Sequence, residues 1–194
     1  MARETSVVTP ERYNQGFGYP GYIDQIKVNK DRFDGFYSDL QLKVEDAALF
    51  RELAGRPNGP AKMLVLGEDW CGDVVRGLPV LARIAEAAGM ELSIFPRDLN
   101  HDIMNEFLKE GQFMSIPVAV FYTRDHRYIC RWTERPAAAD REMAEIEAAI
   151  RSENPQVSDQ EFSRERRGRT AARAAAWVDA TVAELKELLS DSVS

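Results

Sequence analysis

Residues 63–75 read MLVLGEDWCGDVV, an apolar run that stops at Gly67 and places one cysteine at the start of a helical pattern. The continuous run from Lys62 to Leu66 predicts a strand that is buried on both faces. A cysteine at such a strand-to-helix junction suits a nucleophilic thiol, because the free N–H groups and the dipole of the helix favour the thiolate. The position three residues after Cys71, where a dithiol site would have its second cysteine, is Val74.

Composition limits the class of protein. The chain has 194 residues, 44% of them hydrophobic and 29% charged, which is enough for one sizeable core with accessory segments. Its first residues lack the apolar stretch of a signal peptide, and no window reaches the roughly 18 apolar residues that span a membrane. Two cysteines fit a reducing compartment, so we expect a cytoplasmic protein. The net charge of −7 argues against nucleic acid or an anionic membrane as a partner.

Periodicity predicts the order of elements. Two N-terminal helices are expected, over residues 22–37 and 44–54, followed by a loop at 56–60. A helix after Cys71 should run to Gly89 with Pro79 inside, then a strand over 91–95 and a helix from Asn100 to Lys109. Strands over 118–122 and 127–132 should form a hairpin, and a helix over 137–150 follows Pro136. The result is an α/β fold, a three-layer α/β/α sandwich around a four-stranded mixed sheet.

These elements predict three regions: a helical N-terminal region (1–59), the α/β domain (60–150) and a C-terminal helical extension (151–194). A helix is expected over 171–189, and its apolar stripe must pack either on this domain or on a second copy in a homodimer. The basic run from Arg164 to Arg173 is interpreted as a solvated helix face rather than a docking patch for RNA or an acidic partner.

Four features carry a resemblance to the thioredoxin superfamily over residues 60–150. They are Trp70-Cys71-Gly72, the position of Pro79 eight residues after Cys71, Ser115-Ile116-Pro117 at the start of the hairpin, and the order of strands. The Trp-Cys-Gly-Asp form is similar to a thioredoxin-like bacterial branch with a single active-site cysteine. The resemblance implies a thioredoxin-like fold, with a cis-proline at Pro117 beside Cys71 and Trp70 on the exposed rim of the site.

The departures from the family motif define the expected chemistry. Asp73 and Val74 replace the proline and the second cysteine, and Val65 stands where thioredoxins carry a buried acid. We therefore expect a single-thiol oxidoreductase in which Cys71 forms a mixed disulfide that glutathione or another low-molecular-weight thiol resolves. Its partner would be a disulfide-containing or thiol-modified protein, or a small thiol. The alternative is a redox-inactive thioredoxin-fold module that binds a protein or peptide.

Candidate site residues follow from the motif. Cys71 and Asp73 are the candidate catalytic residues, although the preferred interpretation of Asp73 is a helix-start residue that accepts backbone N–H groups. The candidate substrate-binding residues are Trp70, Gly72, Ile116 and Pro117. No metal and no bound cofactor are expected, because His101 and His126 lack neighbours at metal-ligand spacing.

Charge around Cys71 acts in two directions. The helix dipole favours the thiolate, whereas Glu68, Asp69 and Asp73 disfavour it, and the cations that could reverse this are Arg76, Arg131 and Arg135.

Cys130 is not expected to supply the missing thiol. A symmetric hairpin pairs Cys130 near Val120, on the order of 11 Å from Pro117, whereas a disulfide needs Cα atoms within about 7 Å. We therefore expect a buried strand cysteine.

Overall fold

The structure of the protein is a computed structural model that describes residues 6–193. Residues 1–5, on which the expectation about a signal peptide depends, lie outside the described residues. The chain forms two compact units. The first contains the described residues up to Glu134 together with those from Leu185 onward, and the second is Arg135–Glu184. The three regions predicted from the sequence stay a prediction.

The first unit contains a sheet of four strands in the spatial order β2-β1-β3-β4. Its strands are β1 (Lys62–Gly67), β2 (Glu91–Pro96), β3 (Val118–Tyr122) and β4 (Tyr128–Thr133). Strand β1 pairs parallel with β2 and antiparallel with β3, and β3 pairs antiparallel with β4. The predicted four-stranded mixed sheet is confirmed. The apolar run of β1 is continuous because this strand is flanked on both sides and buried on both faces.

Helix α5 (Gly72–Ala88) covers one face of the sheet. It begins directly after Cys71 and ends at Gly89, whose φ of 72° places it in the left-handed region that favours glycine. Two residues before Pro79, a Cβ on Gly77 would lie 3.2 Å from Pro117 Cγ and 4.0 Å from Trp132. A glycine at this position therefore lets the helix approach the segment that opens the hairpin.

The N-terminal residues and helix α6 (His101–Met104) cover the opposite face. Tyr13, at the end of α1 (Pro10–Tyr13), has its hydroxyl 3.2 Å from the carbonyl of Met63 and 2.9 Å from that of Glu91. Its ring contacts the ring of Tyr122 edge-on, with centroids 6.4 Å apart. Helices thus lie on both faces of the sheet, as predicted.

The prediction of one helix over residues 22–37 is wrong. The structure has two helices, α2 (Tyr19–Gln25) and α3 (Lys30–Asp39). Asn29 separates them in the left-handed conformation, with φ of 60°. The chain turns here because its backbone binds the carboxylate of Asp69, a contact that helical periodicity does not reveal.

The helix expected from Asn100 to Lys109 is shorter, since α6 ends at Met104. Asn100 makes no side-chain cap; its amide instead donates to the carbonyl of Pro96 at 2.6 Å, and its oxygen accepts from Arg12 at 2.7 Å. Helix α4 (Val44–Gly55) agrees with the prediction to one residue. The hairpin is present, but an irregularity between Phe121 and Tyr122 pairs Cys130 with Phe121 rather than Val120.

The second unit contains α7 (Ala137–Glu153), α8 (Asp159–Ala172) and the first part of α9 (Ala174–Ser192). Ion pairs connect its helices: Arg166 with Glu147 at 3.0 Å, and Arg169 with Glu153. Arg173 pairs with Glu142 at 2.7 Å. Much of the basic run is therefore matched by acids within this unit, which agrees with the interpretation as a helix face.

The end of α9 belongs to the first unit. Leu185 and Leu189 are fully buried, and Lys186 lies 2.5 Å from Asp46 of α4. The apolar stripe expected on this helix thus packs, in this part, on the protein's own chain. Within residues 6–193, no helix is long and apolar enough to cross a membrane.

Alkaline pH should destabilise the first unit through its buried tyrosines. Burial raises the pKa values of Tyr13, Tyr19, Tyr22 and Tyr122 above the ordinary value of about 10. These neutral tyrosines contribute fully to the free energy of unfolding below about pH 10. The contribution is lost as the pH rises, because tyrosines of the unfolded chain ionise at a lower pH than the buried ones. Each tyrosine contributes a slope of about 1.4 kcal/mol per pH unit. Denaturant unfolding at a series of pH values from 8 to 11.5 measures this slope.

Tyr122→Phe is the matched variant for that measurement. The Tyr122 hydroxyl is buried and has no hydrogen-bond partner among the described residues, so its removal should cost little stability at pH 7. The alkaline slope should fall by up to about 1.4 kcal/mol per pH unit, since one of the titrating groups is gone. An unchanged slope would contradict the assignment of alkaline unfolding to these side chains.

Candidate functional site

Cys71 lies at the junction between β1 and α5 and precedes the first residue of the helix. Its carbonyl accepts the N–H of Val75 at 2.9 Å, which starts the helical hydrogen bonds. The side chain is half-buried, and Sγ lies 3.7 Å from the carbonyl oxygen of Ile116. Cys71 forms no disulfide. The thiol is therefore held between the N-terminus of a 17-residue helix and the segment before β3.

The Ile116–Pro117 peptide bond is cis. Both residues are buried, and the carbonyl of Pro117 accepts the N–H of Glu134 at 2.6 Å. Because Gly77 of α5 packs on Pro117, the helix that carries Cys71 and the loop that faces it are in direct contact. The structure thus brings together Cys71, Ile116 and Pro117, as the sequence predicted.

Trp70 lies beside the cysteine and is 55% exposed. The guanidinium of Arg97 covers its ring at 5.1 Å from the centroid and donates to the carbonyl of Met114 at 3.1 Å. Arg97 belongs to a short 3-10 turn, Arg97–Leu99, that follows β2. Trp70, Leu99, Phe113 and Met114 are exposed apolar side chains on the segments that Arg97 connects. We call these four residues the apolar rim.

Two of the three acids near Cys71 bind backbone N–H groups of other segments. Asp69 accepts from Lys27 at 2.7 Å and from Val28 at 3.1 Å, and its carbonyl accepts from the amide of Asn29 at 2.8 Å. Glu68 accepts the N–H of Asp98 at 2.7 Å, and burial raises the pKa of Glu68. These contacts fix the N-terminal region and the turn after β2 to the loop that carries the cysteine.

The third acid, Asp73, forms an ion pair with Arg76 in the first turn of α5. Both side chains are largely buried, with 13% of Asp73 and 16% of Arg76 exposed. Arg76 Nη1 would lie 3.8 Å from a Cβ placed on Gly72, so the guanidinium reaches back toward the residue next to Cys71. The carboxylate is occupied by this contact, so a role as proton acceptor would require it to share or leave the guanidinium.

The other two candidate cations are Arg131 and Arg135. Arg131 lies on the sheet face opposite Trp132 and donates to the carbonyls of Glu106 and Leu108 at 3.5 and 3.3 Å. The end of β4 does pass this end of the sheet, since Thr133 pairs with Val118 beside Pro117, but the Arg131 side chain lies on the face away from α5. Arg135 belongs to the second unit, where it pairs with Asp140 at 3.0 Å.

Cys130 is a buried strand residue, as predicted. Burial raises the pKa of its thiol, and a hydrogen bond with Ser192 partly offsets this effect. Its pairing with Phe121 moves it one residue further from Pro117 than the sequence suggested, which lengthens the distance to about 14 Å. Cys130 is thus too far from Pro117 for its thiol to reach the site.

The sequence analysis missed the segment at 27–29 as a neighbour of the site. The signal that could have indicated it was Asn29, a residue that tolerates the left-handed conformation, between two apolar patterns. Among the described residues, no group of three or more histidine, cysteine or acidic side chains could hold a metal ion.

Three comparisons place the chain among known proteins. A family model described as thioredoxin matches residues 18–149. A crystal structure of a protein of unknown function from Pseudomonas aeruginosa is similar, with 17% sequence identity, a TM-score of 0.63, and coverage of 92% of this chain and 95% of that chain. An HIV epitope-scaffold is also similar, with 16% identity, a TM-score of 0.63, and coverage of 96% and 99%. None of the curated proteins matches the chain significantly.

Alkylation should distinguish the two cysteines. Cys71 is half-buried at a helix N-terminus, whereas Cys130 is buried with a raised pKa, so iodoacetamide at pH 8 should modify Cys71 at least about 100-fold faster. Peptide mapping by mass spectrometry gives both rates in one sample. Unfolding in guanidinium chloride is the control, since it should make the two rates similar. Equal rates in the folded protein would contradict the placement of Cys130.

Loss of the Asp69 carboxylate should release the segment at 27–29. Asp69→Ala removes the acceptor of two backbone N–H groups and should lower the free energy of unfolding by about 1–2 kcal/mol. Hydrogen exchange at Lys27 and Val28 should become faster. Asp69→Asn keeps one oxygen, so it should lower the free energy of unfolding by less than Asp69→Ala does. Asp31→Ala, at an exposed carboxylate in the first turn of α3, is the control. Unchanged exchange at Lys27 would show that Asp69 does not hold this segment.

Proposed function

Because the chain belongs to a thioredoxin family, we propose that it is a single-thiol oxidoreductase in which Cys71 forms a mixed disulfide with its substrate. The observation that carries this proposal is the position of the Cys71 sulfur, 3.7 Å from the carbonyl that precedes the cis bond to Pro117. A half-buried thiol at a helix N-terminus, beside a backbone carbonyl that can pair with an extended ligand, has the groups needed for thiol–disulfide exchange.

The reaction takes two exchange steps. In the first, the Cys71 thiolate attacks a disulfide of the type protein–S–S–R, forming Cys71–S–S–R and releasing the protein thiolate, which takes up a proton. In the second, the thiolate of a small thiol R′SH attacks Cys71–S–S–R, which releases Cys71 and forms R–S–S–R′. In the sum of the two steps, the protein sulfur returns to the thiol level and the sulfur of R′SH is oxidised to the disulfide level, so one disulfide bond is exchanged for another and the electrons balance. When R and R′ are both glutathionyl groups, the product is glutathione disulfide.

The proposal requires an external thiol, because neither the residue three positions after Cys71 nor Cys130 can supply the second thiol. Val74 replaces the second cysteine of the family motif and is buried in α5. Cys130 is buried in β4, and neither cysteine forms a disulfide. Glutathione or another low-molecular-weight thiol is therefore the proposed co-substrate. A cytoplasmic location, where such thiols are abundant, is part of the same proposal.

The proposed substrate contacts are those of Trp70, Gly72, Ile116 and Pro117. The carbonyl of Ile116 would accept a backbone N–H from an extended peptide or from glutathione beside the thiol. Gly72 leaves the approach to the sulfur open, since it has no side chain. Trp70, which is 55% exposed, offers an aromatic face to the part of the substrate next to its disulfide. The proposed partner is a disulfide-containing or thiol-modified protein, or a small thiol.

A second candidate function is binding of a protein or peptide without redox chemistry. The apolar rim favours it, because its four exposed apolar side chains lie on the segments that Arg97 connects to Trp70, the residue next to Cys71. Exposed apolar groups gathered at one place are typical of surfaces that bind other proteins. In this alternative Cys71 only packs against its neighbours and forms no mixed disulfide with a substrate.

Turnover with glutathione tests the two candidates. A glutathionylated peptide, with glutathione as the reductant and a coupled assay for glutathione disulfide, should be reduced by the protein and by Cys130→Ser at similar rates. Cys71→Ser should lose at least about 100-fold in rate, because it lacks the nucleophile. Cys71 should also be found by mass spectrometry as a mixed disulfide with one glutathionyl group.

The oxidoreductase proposal would be contradicted if the unmodified protein reduced none of the tested disulfides faster than the uncatalysed reaction. Retention of full activity by Cys71→Ser would contradict it as well. If the protein shows no turnover but binds an apolar peptide, and Trp70→Ala weakens this binding while Cys71→Ser does not, the binding module is the better account.

A further inference from the structure

Arg97 lies between the two segments that form the site and belongs to neither of them, since it is part of the 3-10 turn after β2. Its guanidinium covers the ring of Trp70, the residue before Cys71, with the guanidinium carbon 5.1 Å from the ring centroid. Nη1 of the same group donates to the carbonyl of Met114 at 3.1 Å. Met114 precedes by two residues Ile116, whose carbonyl faces the sulfur. One side chain thus contacts both sides of the site.

The turn itself holds the guanidinium in this orientation. The Asp98 carboxylate accepts from Nε of Arg97 at 2.9 Å and from Nη2 at 2.6 Å. The N–H of Asp98 donates to the Glu68 carboxylate at 2.7 Å, which attaches the turn to the loop that carries the cysteine. Only 17% of the Arg97 side chain is exposed. A planar guanidinium can stack on a ring and donate hydrogen bonds from its edge at the same time, which an ammonium group cannot do.

We propose that Arg97 is a positioning residue that holds the Trp70 ring and the segment from Met114 to Ile116 in the arrangement that binds a peptide substrate, an inference that rests on the proposed function. Trp70 and Met114 are 55% and 39% exposed, so solvent leaves room for other rotamers of both side chains. Binding to a mobile side chain costs conformational entropy, and a ring that Arg97 already covers loses less of it. Arg97 thereby acts on the substrate through Trp70 and Met114.

The exposed side chains of the apolar rim lie on the segments that Arg97 connects. Leu99 belongs to the same turn, and Phe113 precedes Met114. A peptide with apolar residues beside its disulfide can contact these side chains, whereas a small disulfide has no such residues. Loss of Arg97 should therefore weaken the binding of a peptide substrate and leave the reduction of a small disulfide nearly unchanged.

The experiment compares two substrates for Arg97→Ala and the unmodified protein in the glutathione assay. For a glutathionylated peptide with leucine and phenylalanine beside its cysteine, KM should rise about 5- to 20-fold and kcat should change less than about 2-fold, because the lost interaction is one of binding. For bis(2-hydroxyethyl) disulfide, both constants should stay within about 2-fold. General damage to the site would instead lower the rates with both substrates.

Fluorescence gives a readout that does not depend on turnover. Acrylamide quenching should increase by at least about 1.5-fold in Arg97→Ala, because the guanidinium no longer covers the Trp70 ring. The chain has three tryptophans, and Trp132 and Trp177 are only 7% and 3% exposed. Trp70→Phe, measured in parallel, gives their share of the signal. Arg97→Lys keeps the charge but loses the planar group, so it should change both KM for the peptide and quenching in the same direction as Arg97→Ala.

Arg83 offers a matched control. Its guanidinium also covers an aromatic ring, that of Tyr37 at 4.7 Å, and donates to a backbone carbonyl, that of Leu40 at 3.3 Å. It also pairs with an acid, Glu86, at 3.3 Å. Arg83 lies about 17 Å along α5 from the first residue of the helix. Arg83→Ala therefore removes the same kinds of contact away from the site, and should leave KM for the peptide and the quenching of Trp70 unchanged.

An unchanged KM for the peptide in folded Arg97→Ala would overturn the proposal, and so would an equal change in Arg83→Ala. Unchanged quenching would overturn it as well, because the ring would then not depend on Arg97. Circular dichroism shows which variants fold, and Arg97→Lys carries the same test if Arg97→Ala does not fold.

Failure of the oxidoreductase proposal is recognised separately. If no disulfide is reduced, the glutathionylated peptide is titrated against Cys71→Ser with and without Arg97→Ala, and Trp70 fluorescence reports binding. The added substitution should raise the Kd by about 5- to 20-fold. That result would keep the role of Arg97 in a protein without redox activity. An equal Kd, or no binding of the peptide to either protein, would overturn the role of Arg97.

Discussion

The site depends on one close approach, that of α5 to the segment before β3. At Gly77 a Cβ would lie 3.2 Å from Pro117 Cγ, closer than most such contacts, so the helix can lie this near only because residue 77 has no side chain. This contact fixes the distance between the two groups that matter for chemistry, the Cys71 thiol at the start of the helix and the Ile116 carbonyl on the facing segment. The sheet supports both, since β1 leads into the helix and β3 follows the cis bond to Pro117.

Around this contact, the acids of the cysteine loop act mainly as attachment points. Asp69 holds the turn between α2 and α3, and Glu68 holds the 3-10 turn after β2. From composition alone, three carboxylates next to a thiol suggest only repulsion of the thiolate. In the structure two of them accept backbone N–H groups, and the third pairs with Arg76. The same residues thus join the N-terminal region to the thioredoxin domain.

Elements whose signal is local were predicted well from the sequence. Strand β1 and helix α5 follow from a continuous apolar run and from a helical pattern that ends at Gly89, and the hairpin follows from its turn. The predictions that failed depend on partners distant in sequence. The break near Asn29 needs Asp69, 40 residues away, and the short α6 follows from the contact of Asn100 with Arg12, 88 residues away. The pairing of Asp73 with Arg76 is local, yet the sequence does not show which acid the arginine binds.

The return of α9 to the first unit has a consequence for the order in which the protein can fold. Lys186 pairs with Asp46 across 140 positions of the chain, and Leu185 and Leu189 are buried in the same unit. During synthesis, residues 6–134 leave the ribosome long before these partners exist, so their core must wait incomplete until the whole of residues 135–184 has been made. The second unit is in this sense an insertion, and the speed at which it is translated sets how long the first unit stays without its last helical turns.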